Sequence, residues 1–443
     1  MDVFAKDYAL ISDSEKVQTT VLQQMIDDCH SSGGGTVYLK PGIYRTGTLY
    51  IRSDIYLHLP PMCTLKGSDD LADYNASDAW EQNMIVPSER IYGQHLIVIL
   101  ESDNCGIVGG GTIDGNGSHF GYDWNDPDFV RPAQMVYICE SKDVRIENVY
   151  LINSTYWSCF VHGCENVILT GLRVRNNANI PNGDGIDIDA SRRVVVSNCI
   201  IQTQDDSITF RCDNGVFSHL KDKTAILEDV VVTNCHLHTE GCNAFRIGVG
   251  NGAIRNCQVS NIVIRNSAKG ICMESRYLFN SDEQPGVKIE NLSFQNVFME
   301  CKMPLFLSSH CSGISDCYAP PIRNIRFCGL TVEAQHGIVV QGNENGLVEN
   351  ITFRDVTMSM KGIPECKDAN TYGEWDYVSA PAPFYIANAD AVTLDGVRAT
   401  IEEDESPLEY AIIAKNAEVD NRNLVVKKCG KILSAEKRGT KHG

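Results

Sequence analysis

Asn182-Gly183-Asp184-Gly185-Ile186-Asp187-Ile188-Asp189 opens the stretch on which the fold turns. A β-branched run follows through Val194, Val195 and Val196, and the stretch closes on Gln204-Asp205-Asp206-Ser207-Ile208-Thr209-Phe210-Arg211. Asp184 and Asp205 stand 21 residues apart, close to one coil of a β-solenoid, whose repeats stack on their neighbours. Residues one coil apart lie one above the other, near the strand spacing of about 4.8 Å. Asp184, Asp205 and Asp206 would then share one small patch of surface. Like charges that close repel, and one of the three pKa values should rise. A pair of carboxylates, one acid and one base, is what glycoside hydrolysis requires. The same residues also suit turns, where Asp is common, or a bound cation.

Outward from this stretch the texture repeats. Short β-branched runs alternate with Asn- and Gly-rich turns, as in Asp143-Val144-Arg145-Ile146-Glu147-Asn148, Asn166-Val167-Ile168-Leu169, Asp229-Val230-Val231-Val232-Thr233-Asn234 and Asn261-Ile262-Val263-Ile264-Arg265-Asn266. Val144 to Val167 is 23 residues, Val167 to Val194 is 27, and Val194 to Val230 is 36. The long step holds Asn214 to Lys223, which reads as an inserted loop. Such periods with strand texture indicate a solenoid, and the absence of a second helical pattern selects a parallel β-helix. Before the repeats, Val17, Val21, Leu22, Met25, Ile26 and Cys29 follow a helical stripe that Gly33-Gly34-Gly35 ends. The expected fold is all-β: a single-stranded right-handed parallel β-helix of one domain, 1–443. An N-terminal capping helix over Val17 to Cys29 would cover an edge otherwise open to pairing. Two aromatic loops interrupt the pattern. One runs from Asp114 through Tyr122, Trp124 and Phe129, and the other from Glu365 to Pro383 with Tyr372, Trp375 and Tyr377. Each fits sugar stacking or packing onto the solenoid equally well. The basic tail, Lys427 to Gly443, reads as a frayed end.

The net charge of −19 argues against nucleic acid and anionic membrane surfaces as partners. No apolar run approaches the roughly 18 residues of a membrane span. Met1 to Asp7 lacks a basic segment leading into an apolar one. The expectation is therefore a cytoplasmic protein whose eighteen cysteines are mostly reduced thiols. Cys199, Cys235 and Cys257 recur at similar places in successive repeats, as small buried residues do.

Asn182-Gly183-Asp184 and Gln204-Asp205-Asp206 resemble the Asn-Thr-Asp and Gly-Asp-Asp motifs of glycoside hydrolase family 28, the polygalacturonase family. Gly109-Gly110-Gly111-Thr112-Ile113-Asp114-Gly115 is similar to that family's Gly-x-Gly-Thr-Ile-Asp-Gly. Arg131-Pro132 and Asn153-Ser154-Thr155-Tyr156-Trp157 are similar to its Arg-Pro and Asn-Ser-Pro-x-Trp signatures. The resemblance runs to about Ser359. It implies catalysis by Asp184, Asp205 and Asp206. Two motifs depart from the pattern. Asn243 stands where the family has the His of Gly-His-Gly, and Cys272 and Glu274 stand where it has the Arg and Lys that bind the galacturonate carboxylate.

The expected activity is inverting acid–base hydrolysis of a plant-polysaccharide oligosaccharide, pectin-like but not polygalacturonate itself, with no cofactor and no metal. Asp205 would be the acid, with Asp184 and Asp206 activating water. Asn182, Arg211, Asn243, Arg246, Glu274 and Arg276 are the candidate substrate-binding residues, with Tyr277 beside them. A lyase or epimerase on the same scaffold, with the acidic trio holding Ca²⁺, and a non-catalytic carbohydrate-binding β-helix are the alternatives.

Overall fold

The computed structural model describes residues 2–438 apart from 124, 127, 178, 214–219, 222–224, 277–285, 310–319, 343–347, 362–381 and 435–436; of residues 276, 437 and 438 it describes the backbone alone. The chain divides into two compact units, Met1–Thr209 with Asp213–Cys235, and Phe210–Cys212 with His236–Gly443. Each is built of short parallel strands stacked coil on coil, and the fold is a right-handed parallel β-helix.

In the first unit one column of inward side chains runs Val37, Leu57, Ile107, Ile146, Leu169, Val196 and Val232, each residue in register with the next. All seven are buried. Alternation sends every second side chain inward, so β-branched and leucine residues at those positions fill the interior. The valines that mark the period pair as their spacing predicts: Val144 with Val167, Val167 with Val194, and Val194 with Val230. Within the long step, Leu220 is buried and the Lys221 backbone N–H donates to Glu140 Oε1 at 2.6 Å. The helix spans Thr19–Ser31 and buries Leu22, Met25, Ile26 and Cys29. It begins two residues after the expected start because Ser14–Val17 pairs as a strand with Gly42–Thr46. The Gln18 side chain then pins the junction, bonding the Ile11 N–H (2.7 Å) and C=O (2.8 Å).

A second apolar layer lies on the outer face of the same unit. Tyr137 and Phe160, successive in register, pack there with Met84, Val86, Ile91 and Trp157. Residues about 80–91 therefore cover part of the sheet instead of leaving it to solvent.

The second unit repeats the device with aromatics. Phe294, Phe327 and Phe353 stack at centroid distances of 5.3 and 4.9 Å, with Phe245 and Phe384 edge-on at either end. At one turn Asn256, Asn291, Asn324 and Asn350 all adopt left-handed backbone, which Asn tolerates better than most residues. Their side chains form a ladder, each Nδ2 donating to the preceding Oδ1 at 3.1, 3.0 and 2.8 Å. The tail departs from the expected frayed end. Val425–Lys428 pairs in parallel with Arg398–Ile401 and turns back onto Lys431–Ile432, so backbone pairing holds it despite its charge. The Glu365 to Pro383 loop lies outside the described residues up to 381, as does Trp124.

All fifteen cysteines among the described residues are unbridged, and twelve of them are buried. Phe327 tests the aromatic column. Phe327→Ala should lower the unfolding free energy by about 3–5 kcal/mol, read from the shift in urea midpoint, because the stack cannot collapse into the gap from both sides.

Candidate active site

The acidic residues of the first unit sit where strands begin. Asn182 to Asp184 lead into the strand Ile186–Asp189, and Asp205 and Asp206 lead into Ile208–Cys212. Gly185 N–H donates to Asp206 O at 2.9 Å and Ile186 N–H to Ser207 O at 3.0 Å, which sets Asp184 beside Asp206 on adjacent coils. Gly185 has to be glycine for this. A Cβ there would lie 2.4 Å from Ser207 O and 2.7 Å from Ile201 Cγ2. Carboxylate oxygens of Asp205 and Asp206 lie within 4.8 Å of one another. Asp184 and Asp206 are buried and Asp205 is half-buried. Asp205 Oδ1 accepts the Asp206 N–H at 2.9 Å, and Thr203 Oγ1 donates to Asp205 O at 2.7 Å. The structure thus brings the predicted trio to two neighbouring strand entrances.

The turn carrying Asp184 is held from both sides. Ser158 donates to Asp184 O through its N–H (3.0 Å) and its hydroxyl (2.9 Å). Asn176 Nδ2 reaches Gly183 O at 2.9 Å and Asp184 O at 3.1 Å. Arg131 Nη2 donates to Asn182 Oδ1 at 2.9 Å, which commits that oxygen of an expected substrate ligand to the protein. Farther along the strand Asp189 Oδ2 faces His162 Nδ1 at 2.9 Å, while Asp189 Oδ1 accepts the Asp213 N–H at 2.9 Å. Sequence reasoning read Arg131 only as part of a scaffold signature and did not find Ser158, Asn176 or His162. Nothing in a Ser, Asn or His standing alone reveals what lies one coil away. The Asp114 loop resolves toward packing: the Tyr122 ring contacts Phe129 at 5.2 Å and lies 4.5 Å from the Arg131 guanidinium.

The other predicted ligands belong to the second unit. Arg211 is buried in Ile208–Cys212, and Asn243 opens the strand Asn243–Gly250, its Nδ2 3.4 Å from Cys242 Sγ. Arg246 is in register with Cys272. Its guanidinium is shared between them, with Nη1 3.7 Å from Cys272 Sγ and Nη2 3.3 Å from a Glu274 carboxylate oxygen. Both members of this ion pair are largely buried, at 9% and 15% side-chain exposure. Arg276 ends the strand Ala253–Arg276 opposite Val249, and Tyr277 lies outside the described residues.

Comparison with known proteins agrees with this architecture. The family model of glycosyl hydrolases family 28 matches residues 86–331, more than half of the chain, and the chain belongs to that family. The exo-poly-alpha-D-galacturonosidase of Dickeya chrysanthemi is 22% identical over 89% of this chain and 74% of its own length. Polygalacturonase QRT2 of Arabidopsis thaliana is 24% identical over 58% of this chain, which spans 64% of that relative's length. Among solved structures, the family 28 exopolygalacturonase of Yersinia enterocolitica superposes with a TM-score of 0.70 at 18% identity, covering 96% of this chain and 78% of that one. The endo-xylogalacturonan hydrolase of Aspergillus tubingensis gives 0.55 at 15% identity, covering 92% and 96%.

The buried pair gives a stability test. Glu274→Ala leaves Arg246 charged in a site with little water, and stripping one partner from such a pair costs about 3–5 kcal/mol. The variant should unfold at a clearly lower urea concentration, whereas Glu274→Gln, which keeps a hydrogen-bond acceptor, should lose less.

Proposed function

We propose that this protein hydrolyses a glycosidic bond in a pectin-derived oligosaccharide, with inversion, and that plain polygalacturonate is a poor substrate. The observation that carries the chemistry is the stacking of Asp184 beside Asp206 on adjacent coils with Asp205 next to them. Asp205, the most accessible of the three, protonates the glycosidic oxygen. Asp184 and Asp206 orient and deprotonate the attacking water. Inverting hydrolysis usually keeps a gap of roughly 6.5–9.5 Å between acid and base for that water; carboxylate oxygens of Asp205 and Asp206 come closer, within 4.8 Å.

The substrate class follows from the departures at the positions that bind the uronate carboxylate in the family. Cys272 and Glu274 replace the two cations. Arg246 supplies a positive group one coil earlier, but Glu274 neutralises it. A neutralised Arg–carboxylate pair presents donors and acceptors suited to sugar hydroxyls and offers no net charge to a uronate. The names of the family relatives, a galacturonosidase and a xylogalacturonan hydrolase among them, support a pectic backbone as the broader class.

Asp205→Asn keeps shape and loses the proton donor. It should reduce turnover by about 10²–10⁴-fold while substrate binding stays near normal, and the wild-type rate should follow a bell-shaped pH profile. Proton NMR of the first-formed anomer reads the stereochemistry, and retention would rule out the inverting assignment. Efficient cleavage of polygalacturonate by the wild-type protein would overturn the specificity reading. Cys272→Arg combined with Glu274→Lys should raise activity on polygalacturonate relative to wild type, measured as released reducing ends.

A further inference from the structure

Arg131 is the largest of the fully buried side chains, with 0% exposure. A guanidinium cannot shed its charge, and burying it costs several kcal/mol unless its donors are met. Here the two terminal nitrogens are met in an unusual way, while Nε is buried without a hydrogen-bond partner. Nη1 donates to Thr155 O at 2.9 Å and to Pro181 O at 2.7 Å. Nη2 donates to Asn182 Oδ1 at 2.9 Å and to Glu89 O at 3.3 Å. All four acceptors are neutral amide oxygens. The rings of Tyr122 and Tyr156 contact the guanidinium at 4.5 and 5.0 Å. The Tyr156 hydroxyl in turn bonds the Glu89 carboxylate.

Two of these bonds fall on the residues immediately before Gly183-Asp184. Asn182 is left-handed, with φ of 55°, so the chain bends sharply there and would relax without an anchor. Arg131 holds the bend through both the Pro181 carbonyl and the Asn182 side chain, while Asn176 and Ser158 hold the far side through Gly183 O and Asp184 O. Four consecutive residues of the turn are thereby tied to the side chains of Arg131, Ser158 and Asn176. Through Thr155 O the same guanidinium joins the turn to the coil beneath it. Burial lowers the Arg131 pKa, and the neighbouring Tyr156, Tyr122, Glu89 and Asp184 act against that shift.

We propose that Arg131 is a positioning residue for hydrolysis: its forked bonds to Pro181 O and Asn182 Oδ1 fix the turn that places the Asp184 carboxylate for water activation. The role rests on the hydrolase reading above. It explains why so large a charge is buried, and why the fork reaches across two coils. Lysine could carry the charge but could not span Thr155 O, Pro181 O and Asn182 Oδ1 together.

The test uses Arg131→Lys and Arg131→Ala in the full chain. Hydrogen exchange of the peptide covering residues 180–186, followed by mass spectrometry, reads the turn directly and needs no turnover. Exchange there should accelerate at least about tenfold in both variants, while peptides from the Phe294 to Phe353 stack stay protected. On the pectic oligosaccharide that the wild type cleaves fastest, kcat should fall by about 10–100-fold with KM changed little, as misplacement by about 1 Å does. Added methylguanidinium should restore part of the rate to Arg131→Ala and none to Asp184→Asn. Unchanged exchange at 180–186, or an unchanged kcat in an active protein, overturns the proposal. If Arg131→Ala fails to fold, the Arg131→Lys exchange and kcat values decide it. A wild type that cleaves nothing sinks the hydrolase reading alone, and the exchange result then decides the role of Arg131 in the turn.

Discussion

Coil-to-coil backbone pairing is the constraint on which everything else depends. A parallel strand satisfies its N–H and C=O groups only on the strands above and below, so each coil is stable only in register with its neighbours. Register in turn decides which side chains become neighbours. The 23-, 27- and 36-residue steps along the valine column differ, yet the pairs they join are all in register. The acidic trio exists by the same rule. Asp184 and Asp206 are neighbours because Gly185 and Ile186 donate to the carbonyls of Asp206 and Ser207. At Gly185 the coils come too close for any side chain, which would strike Ser207 O.

What could be read in advance follows from how local each signal is. The inward column was legible because β-branched residues at period two, bounded by Asn turns, have few other uses. The family motifs around Asp184 and Asp205 were legible because their spacing matched one coil. The start of the helix was displaced because Val17 fits both the helical stripe and a short strand, and pairing with Gly42–Thr46 decided between them. Lys427 to Ile432 pairs in strands although its charge pointed to a frayed end. Arg131, Asn176 and Ser158 were out of reach for a different reason. Their partners lie 7 to 51 residues away along the chain, at spacings set by irregular turns.

Charge placement separates the two units in character. The first concentrates carboxylates at strand entrances and holds the turn of Asp184 with Ser158, Asn176 and Arg131. The second buries a compensated pair, Arg246 with Glu274, beside the Cys272 thiol.

The 36-residue step from Val194 to Val230 carries a broader lesson. Extra chain can leave the stack after one strand and rejoin it at the next without changing which residues meet, and the entropic cost of a longer loop grows only slowly with its length. Shape around the reacting groups is therefore free to drift by insertion and deletion, while the reacting groups themselves are tied to the ladder. A protein built this way can alter its turns while Asp184 and Asp206 stay neighbours, unless a mutation slips the register of a whole coil.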